Sequence, residues 1–186
     1  EDPYAAQEAL QQLIDLGYID KPDEDKTKAI ATAVNESNYY LARNYMDAGK
    51  YKEAIPLLEE LTEQVAQPLT QIHALYTLQG LDALDFNKLI NVAKNANNEV
   101  GAHAVILLEN FVKKENAQAI AGIFNELIAK NSPVLDFYVA SSVGVWAIVD
   151  NDRFLPLLDV LSIKYSNHKI YQEAIVSGLF NANAAL

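Results

Sequence analysis

Apolar and small residues recur at three- to four-residue spacing along most of the chain, separated by short polar, glycine-containing or proline-containing breaks. This period is typical of amphipathic α-helices that bury one face. The breaks divide the sequence into ten predicted helices, at residues 2–17, 28–48, 52–64, 69–80, 85–96, 98–112, 115–130, 132–149, 151–165 and 168–181. The pattern therefore predicts an all-α fold.

Glycine and proline residues indicate where the helices at 28–48 and 52–64 end and begin. Gly49 is placed for the left-handed residue that follows a helix end. Pro56 is expected near the first turn of the helix at 52–64, where a missing amide proton costs little. In the helix at 28–48, the large apolar residues expected to point inward are Ile30, Val34, Leu41 and Tyr45.

A small residue recurs about once per pair of helices in the second part of the chain. Each is followed four residues later by leucine or glycine, giving the pairs Ala74 and Leu78, Ala104 and Leu108, Ala140 and Gly144, and Ala174 and Gly178. The small residues are 30, 36 and 34 residues apart. Helical-repeat arrays have repeats of about 30 to 47 residues. We therefore predict a right-handed α/α superhelix, or solenoid, of about ten antiparallel helices.

The segment 38–61, NYYLARNYMDAGKYKEAIPLLEEL, has apolar and small residues where two short antiparallel helices need them. Leu41, Ala42 and Tyr45 line the first helix, and Tyr51, Ala54, Leu58 and Leu61 line the second. This segment resembles a tetratricopeptide repeat. We interpret residues 1–66 as a tetratricopeptide-like helical segment.

Residues 67–186 resemble HEAT repeats, in which a turn residue and a valine open the first helix of each unit. Val100 stands in this way before Ala104, and Val134 before Ala140. The two resemblances together imply two repeat types packed as one continuous solenoid. Because a single repeat leaves its apolar face bare, the helices after residue 67 are expected to cover the first repeat.

The tetratricopeptide resemblance also implies a binding surface. In that family the helix corresponding to 28–48 lines the hollow that holds an extended peptide, and the residues expected to project into it are Tyr39, Arg43, Met46 and Asp47. Tyrosine and arginine are common anchors at protein interfaces. We expect the partner to be a protein or a peptide.

Composition excludes several other functions. The formal net charge of −11 and a pI near 4.6 disfavour nucleic acid, because neutralising phosphates requires clustered lysine and arginine. The apolar runs are too short for membrane insertion, and the chain does not begin with a signal peptide pattern. The absence of cysteine excludes disulfides and thiolate metal sites, and it suits an extracytoplasmic bacterial protein, which we favour over a cytoplasmic one.

Candidate chemistry is sparse. His73 and His103 occupy similar places in successive repeats, but two histidines do not make a zinc site, and no His-Glu-x-x-His pattern accompanies them. Ser142 lies in an apolar helix without a nucleophile-elbow motif and is expected to be a packing residue, as are Ser141 and Ser177. We predict no catalytic residue, no cofactor and no metal.

These observations predict a non-catalytic protein–protein interaction scaffold, as a helical-repeat module of a larger extracytoplasmic bacterial protein. One alternative is an engineered or fused helical-repeat scaffold without a natural partner, which would fit the missing cysteine, the single methionine and the change of repeat type. A second alternative is an enzyme whose histidines and carboxylates meet in a groove. The sequence leaves the oligomeric state open.

Overall fold

The computed structural model describes residues 12, 14–16, 26–64 and 67–183. Within these residues the backbone forms nine α-helices and one short 3₁₀ helix, and no strand. The α-helices are α1 Lys26–Asp47, α2 Tyr51–Leu61, α3 Pro68–Gly80, α4 Phe86–Asn95, α5 Asn98–Leu107, α6 Lys114–Ala129, α7 Pro133–Ala147, α8 Asn151–Lys164 and α9 Lys169–Asn183. The 3₁₀ helix Leu108–Phe111 directly follows α5. The prediction of an all-α fold is confirmed for this part of the chain, whereas most of the helix predicted at 2–17 lies outside the described residues.

The chain divides into two compact units, Glu1–Ser37 and Asn38–Leu186. The described part of the first unit is almost entirely the first half of α1, on which Ile30 is exposed. The second unit contains the end of α1 and all the later helices. It therefore holds every residue for which the sequence predicts a binding role.

The inward face of α1 differs from the predicted one. Ile30, Val34 and Leu41 are exposed, and Tyr45 is half-buried. Ala42 is completely buried, in a small core that it shares with residues of α2 and α3. The prediction was wrong for Ile30, Val34 and Leu41, because α1 meets its neighbours through the small side chain of Ala42, which the tetratricopeptide resemblance also places on the lining of this helix. On α2, Ala54, Leu58 and Leu61 are buried as predicted, but Tyr51, at the first position of the helix, is exposed.

From α3 onward, each helix of the second unit contacts the helix after next, and several helices also contact a neighbour in the chain. α3, α5, α7 and α9 touch one another in that order, and so do α4, α6 and α8. We call the first set the front layer and the second set the back layer. Between the layers, contacts join helices that follow each other in the chain, such as α7 with α8 and α8 with α9.

The small residues that recur in the sequence are buried. All eight residues of the predicted pairs are buried, namely Ala74, Leu78, Ala104, Leu108, Ala140, Gly144, Ala174 and Gly178. Gly144 on α7 and Gly178 on α9 approach closely, since a Cβ on Gly144 would overlap the backbone carbonyl of Gly178. The prediction that small residues allow close helix approach is confirmed for α7 and α9.

Helix ends also follow local sequence. Gly49 has φ of +71° and closes α1 in a Schellman motif, in which its N–H donates to the Met46 carbonyl at 2.9 Å and the Lys50 N–H donates to the Tyr45 carbonyl at 2.8 Å. Four later helices begin at side chains that accept the N–H three residues onward, and these residues are Asp85, Asn97, Ser132 and Asp150.

Two predicted elements differ in detail. α2 begins at Tyr51, so Pro56 lies inside the helix, more than one turn from its start, where it removes an internal hydrogen bond. The predicted helix at 98–112 is α-helical only to Leu107 and then tightens into the 3₁₀ helix. Here the Asn110 side chain donates to the Leu107 carbonyl at 2.8 Å and competes with the backbone for that acceptor.

A buried charged cluster fixes the end of α8 against the start of α7. Asp136 is fully buried, and its Oδ2 accepts a hydrogen bond from the Tyr165 hydroxyl at 2.6 Å and pairs with Lys164 Nζ at 2.7 Å. Lys164 also donates to Asn131 Oδ1 at 2.9 Å. Because a buried charge without partners is strongly unfavourable, loss of either donor should loosen this contact. Burial, with the hydrogen bond and the negative charge of Asp136, raises the pKa of Tyr165 far above its usual range.

The contact at Gly144 predicts opposite effects for two identical substitutions. Gly144→Ala should lower the free energy of unfolding by about 3 kcal/mol or more, because the new methyl group meets backbone rather than a movable side chain. Gly122→Ala, at an exposed position inside α6 with open space around the added Cβ, should raise it by about 0.5–1 kcal/mol. Urea unfolding of both variants measures the difference, and a stable Gly144→Ala protein would contradict the close approach.

The Asp136 cluster predicts a pH effect. Above about pH 10 the unfolded chain releases tyrosine protons, whereas the native state keeps the Tyr165 proton because its pKa is raised. The free energy of unfolding should therefore fall as the pH rises through this range. Tyr165→Phe should make the free energy of unfolding depend less steeply on pH. At pH 7 the substitution should lower that free energy by about 1.5–3 kcal/mol, since Asp136 loses a hydrogen-bond donor.

Urea unfolding at intervals between pH 7 and pH 11 tests this prediction. Tyr51→Phe is the matched control, because it removes the same hydroxyl group from an exposed side chain. Part of the slope will remain in Tyr165→Phe, since burial also raises the pKa of Tyr76 and of Tyr171. A Tyr165→Phe protein with the wild-type slope would show that Tyr165 ionises normally in the native state.

Candidate functional site

The four residues predicted to bind a peptide line one pocket. Tyr39, Arg43, Met46 and Asp47 lie on the last turns of α1 at spacings that put them on one helix face. Leu58 of α2 and Thr77 of α3 complete the lining, and the pocket has a volume of about 140 Å³. We call this the α1 pocket. The structure thus brings all four residues together, while peptide binding itself stays a prediction.

The α1 pocket combines an apolar base with charged edges. Leu58 is 1% exposed and belongs to the small core, and Tyr39 and Met46 pack against that core while remaining half-exposed. Arg43 and Asp47 are both exposed. Among the described residues, no carboxylate oxygen lies within ion-pair distance of Arg43. Its guanidinium is therefore available to a ligand.

The end of α1 positions this pocket. The Schellman motif at Gly49 occupies the carbonyls of Tyr45 and Met46, so the chain reverses directly into α2. This reversal brings Leu58 beneath the side chains of α1. Gly49 therefore has a specific role, because the left-handed conformation there is costly for a residue with a Cβ.

A row of aromatic rings crosses the front layer. Tyr76 on α3 meets His103 on α5 with ring centroids 5.6 Å apart, and its hydroxyl lies 3.1 Å from His103 Nδ1. His103 meets Tyr138 on α7 at 6.2 Å, and Phe137 beside it meets Tyr171 on α9 at 5.8 Å. We call these five residues the aromatic row. Tyr76 is 39% exposed and the other four are half-buried, so the rings form part of the surface.

The α1 pocket and the aromatic row adjoin each other on α3. The ring of Tyr39 lies 6.5 Å from that of His73, which is one helical turn from Tyr76. Thr77, which lines the pocket, is the residue next to Tyr76. The two features therefore present one continuous surface from the end of α1 to the start of α9.

The aromatic row is a surface feature that was not predicted from the sequence. Its members are not evenly spaced, but Tyr76, His103, Tyr138 and Tyr171 each lie within three residues of the small residue that marks a repeat. The same signal that predicted the buried contacts of the front layer could therefore have predicted the rings beside them. Exposure of the rings could not be read from that signal.

The histidines contact rings rather than a metal-ligand set. His73 is exposed beside Tyr39, and His103 lies between Tyr76 and Tyr138. In residues 12, 14–16, 26–64 and 67–183, no three side chains of histidine, cysteine, aspartate or glutamate gather as a metal site would require. These histidines are parts of an aromatic surface.

One serine makes a more specific contact than expected. Ser142 is completely buried, and its hydroxyl donates to Glu109 Oε1 at 2.6 Å. Burial raises the pKa of Glu109, although the hydrogen bond from Ser142 opposes that shift. Ser142 thus both packs and binds a carboxylate that approaches from the 3₁₀ helix.

A larger pocket, of about 260 Å³, lies between the end of α2, the start of α3 and α4. Several of its polar side chains have partners. Lys88 pairs with Glu59 at 3.0 Å, the Asn95 amide donates to Asn91 at 2.6 Å, and the Gln71 amide donates to the Thr62 carbonyl at 2.8 Å. None of the residues predicted to bind a peptide lines this pocket.

Comparisons with known proteins do not assign this chain to a family. Among the helices in the described part of the chain, none is both long and apolar enough to cross a bilayer. No family model, curated protein or solved structure matches this chain.

Proposed function

We propose that this chain is a non-catalytic interaction scaffold that binds an extended segment of a partner protein at the α1 pocket. The observation that carries this proposal is the meeting of Tyr39, Arg43, Met46 and Asp47 over the buried side chain of Leu58. An apolar base holds a side chain of the partner, and charged groups at the edge fix its backbone or its own charges.

The helix contacts of the second unit support a solenoid built from stacked hairpins. Front-layer and back-layer helices each touch the next member of their own layer, which is the contact order of helical-repeat arrays. Such arrays present extended surfaces made of several repeats, and they commonly bind partners along them. The α1 pocket would lie at one end of such a surface and the aromatic row along it.

The size of the α1 pocket favours a side chain over a cofactor. Sites for drug-sized molecules commonly enclose about 300–1,000 Å³. At about 140 Å³ the α1 pocket has less than half of the lower figure. It suits a single apolar side chain of a peptide, with Tyr39 and Met46 at its sides.

The exposed charges suit a peptide backbone. Arg43 presents several N–H donors to a carbonyl or carboxylate oxygen, and Asp47, one turn away, presents acceptors to N–H groups. A peptide that lies across α1 can satisfy both residues at once. Neither needs to leave an internal ion pair, because the described residues provide none for Arg43.

Substitution of the pocket residues tests the proposal. A random peptide library displayed on phage and selected against the full chain should yield binders. Tyr39→Ala and Arg43→Ala should each weaken the selected peptides about tenfold or more, as expected for interface anchors. Fluorescence anisotropy measures the affinity, and circular dichroism melting checks that the variants stay folded.

Two exposed residues of α2 provide matched controls. Tyr51→Ala and Lys52→Ala remove a tyrosine and a positive charge that do not line the pocket, and both should leave the affinity unchanged. If no library yields a binder, or if the controls weaken binding as much as the pocket variants do, the α1 pocket is not a peptide site.

A further inference from the structure

The front layer has an unusual distribution of charge. α3, α5, the 3₁₀ helix and α7 contain no lysine or arginine, and their charged residues are Glu99, Glu109 and the buried Asp136. Every helix of the back layer, by contrast, carries lysine or arginine. α9, the remaining front-layer helix, carries Lys169. The part of the aromatic row from Tyr76 to Tyr138 thus lies on helices without lysine or arginine, in a chain of net charge −11.

Aromatic rings without nearby cations are suited to binding cations. The face of a tyrosine ring is electron-rich, and an ammonium or guanidinium group within about 6 Å of its centroid is attracted to it. Tyr76 and Tyr138 lie on either side of His103 in the row, and Glu99 is exposed one turn before His103 on α5. Residues four positions apart share a helix face, so Glu99 lies on the same face of α5 as His103 and can supply the counter-charge that a bound cation needs.

A lysine already contacts an aromatic ring in this way at the α9 end of the row. Lys164 Nζ lies 5.6 Å from the centroid of the Tyr165 ring, which stacks on Tyr171 at 3.9 Å with nearly parallel planes. Lys164 at the same time pairs with Asp136. A lysine that bridges a ring and a carboxylate thus completes the surface at α9. Tyr76 and Tyr138 have no lysine or arginine on their own helices to do the same.

We propose that the aromatic row binds a basic segment of the partner, with lysine or arginine side chains lying over Tyr76 and Tyr138 and a further pairing to Glu99. This inference rests on the proposed function, because it assigns the partner's chemistry at the surface next to the α1 pocket. Opposite charge on chain and segment would also speed their encounter.

The distance between the rings adds a requirement on the segment. His103 lies 5.6 Å from Tyr76 and 6.2 Å from Tyr138, so the centroids of the two tyrosine rings are at most about 12 Å apart. An extended chain advances about 3.3 Å per residue, and basic residues three positions apart would therefore span a distance that fits both rings. A run of adjacent basic residues would match the rings less well, although its charge is the same.

Peptides of designed charge pattern test this inference on the full chain. Three labelled twelve-residue peptides are titrated by fluorescence anisotropy: one with lysine at every third position among serine and glycine, one with the same lysines placed together, and one with glutamate replacing each lysine. The spaced peptide should bind at least fivefold more tightly than the clustered one, and the glutamate peptide should not bind.

Substitutions that add no charge test whether the spaced peptide binds the aromatic row or is only attracted to an acidic protein. Tyr76→Leu and Tyr138→Leu keep an apolar side chain but remove the ring face, and together they should weaken the spaced peptide about fivefold or more. Glu99→Gln should weaken it as well and reduce the salt dependence. The matched controls on α2 are Tyr51→Leu and Glu60→Gln, which make the same changes at exposed positions and should have no effect.

Two results would overturn the inference. Controls that weaken the spaced peptide as much as the row variants do would reduce its binding to general electrostatics, and equal affinities for all three peptides would remove the charge requirement. Because Tyr76 is the most exposed ring of the row, Tyr76→Leu alone keeps the test valid if the double variant fails to fold.

The same measurements distinguish failure of the inference about a basic segment from failure of the proposed function. If library-selected peptides depend on Tyr39 and Arg43 but carry no basic residues and ignore Tyr76, the α1 pocket binds peptides and the row does not select basic ones. If no peptide of any composition depends on either feature, the scaffold proposal itself fails.

Discussion

The approach of front-layer helices through small side chains determines where the surface residues of this protein lie. Gly144 and Gly178 bring the backbones of α7 and α9 into direct contact, and the alanines of the earlier repeats are buried at equivalent places. On the same two helices, the rings of Phe137 and Tyr171 meet at 5.8 Å. The close packing of α7 and α9 thus accompanies a contact between rings of the aromatic row.

The sequence predicted the front layer well because its signal is local and repeated. A small residue paired with another apolar one four positions later marks a helix face that must be buried, and all four such pairs are buried. α1 behaved differently. Its large residues Ile30, Val34 and Leu41 were expected to point inward but are exposed, whereas Ala42, which the tetratricopeptide resemblance predicts to line the helix, is buried. Which of these residues a partner helix covers cannot be read from a single helix.

The candidate site was predicted in part. Tyr39, Arg43, Met46 and Asp47 share a helix face by spacing alone, so a tetratricopeptide-like reading was enough to group them. The contribution of Leu58 and Thr77 depends on the turn at Gly49 and on the position of α3, which are tertiary features. The hydrogen bond between Ser142 and Glu109 joins residues 33 positions apart, and no periodic signal links them.

The absence of lysine and arginine from α3, α5 and α7 also affects how this protein responds to common reagents. Amine-reactive cross-linkers can label the back layer but find no primary amine on these three helices. Trypsin likewise has no cleavage site within them, even when a helix opens locally. Digestion should therefore release the central front-layer helices as whole fragments, each still carrying its ring residues.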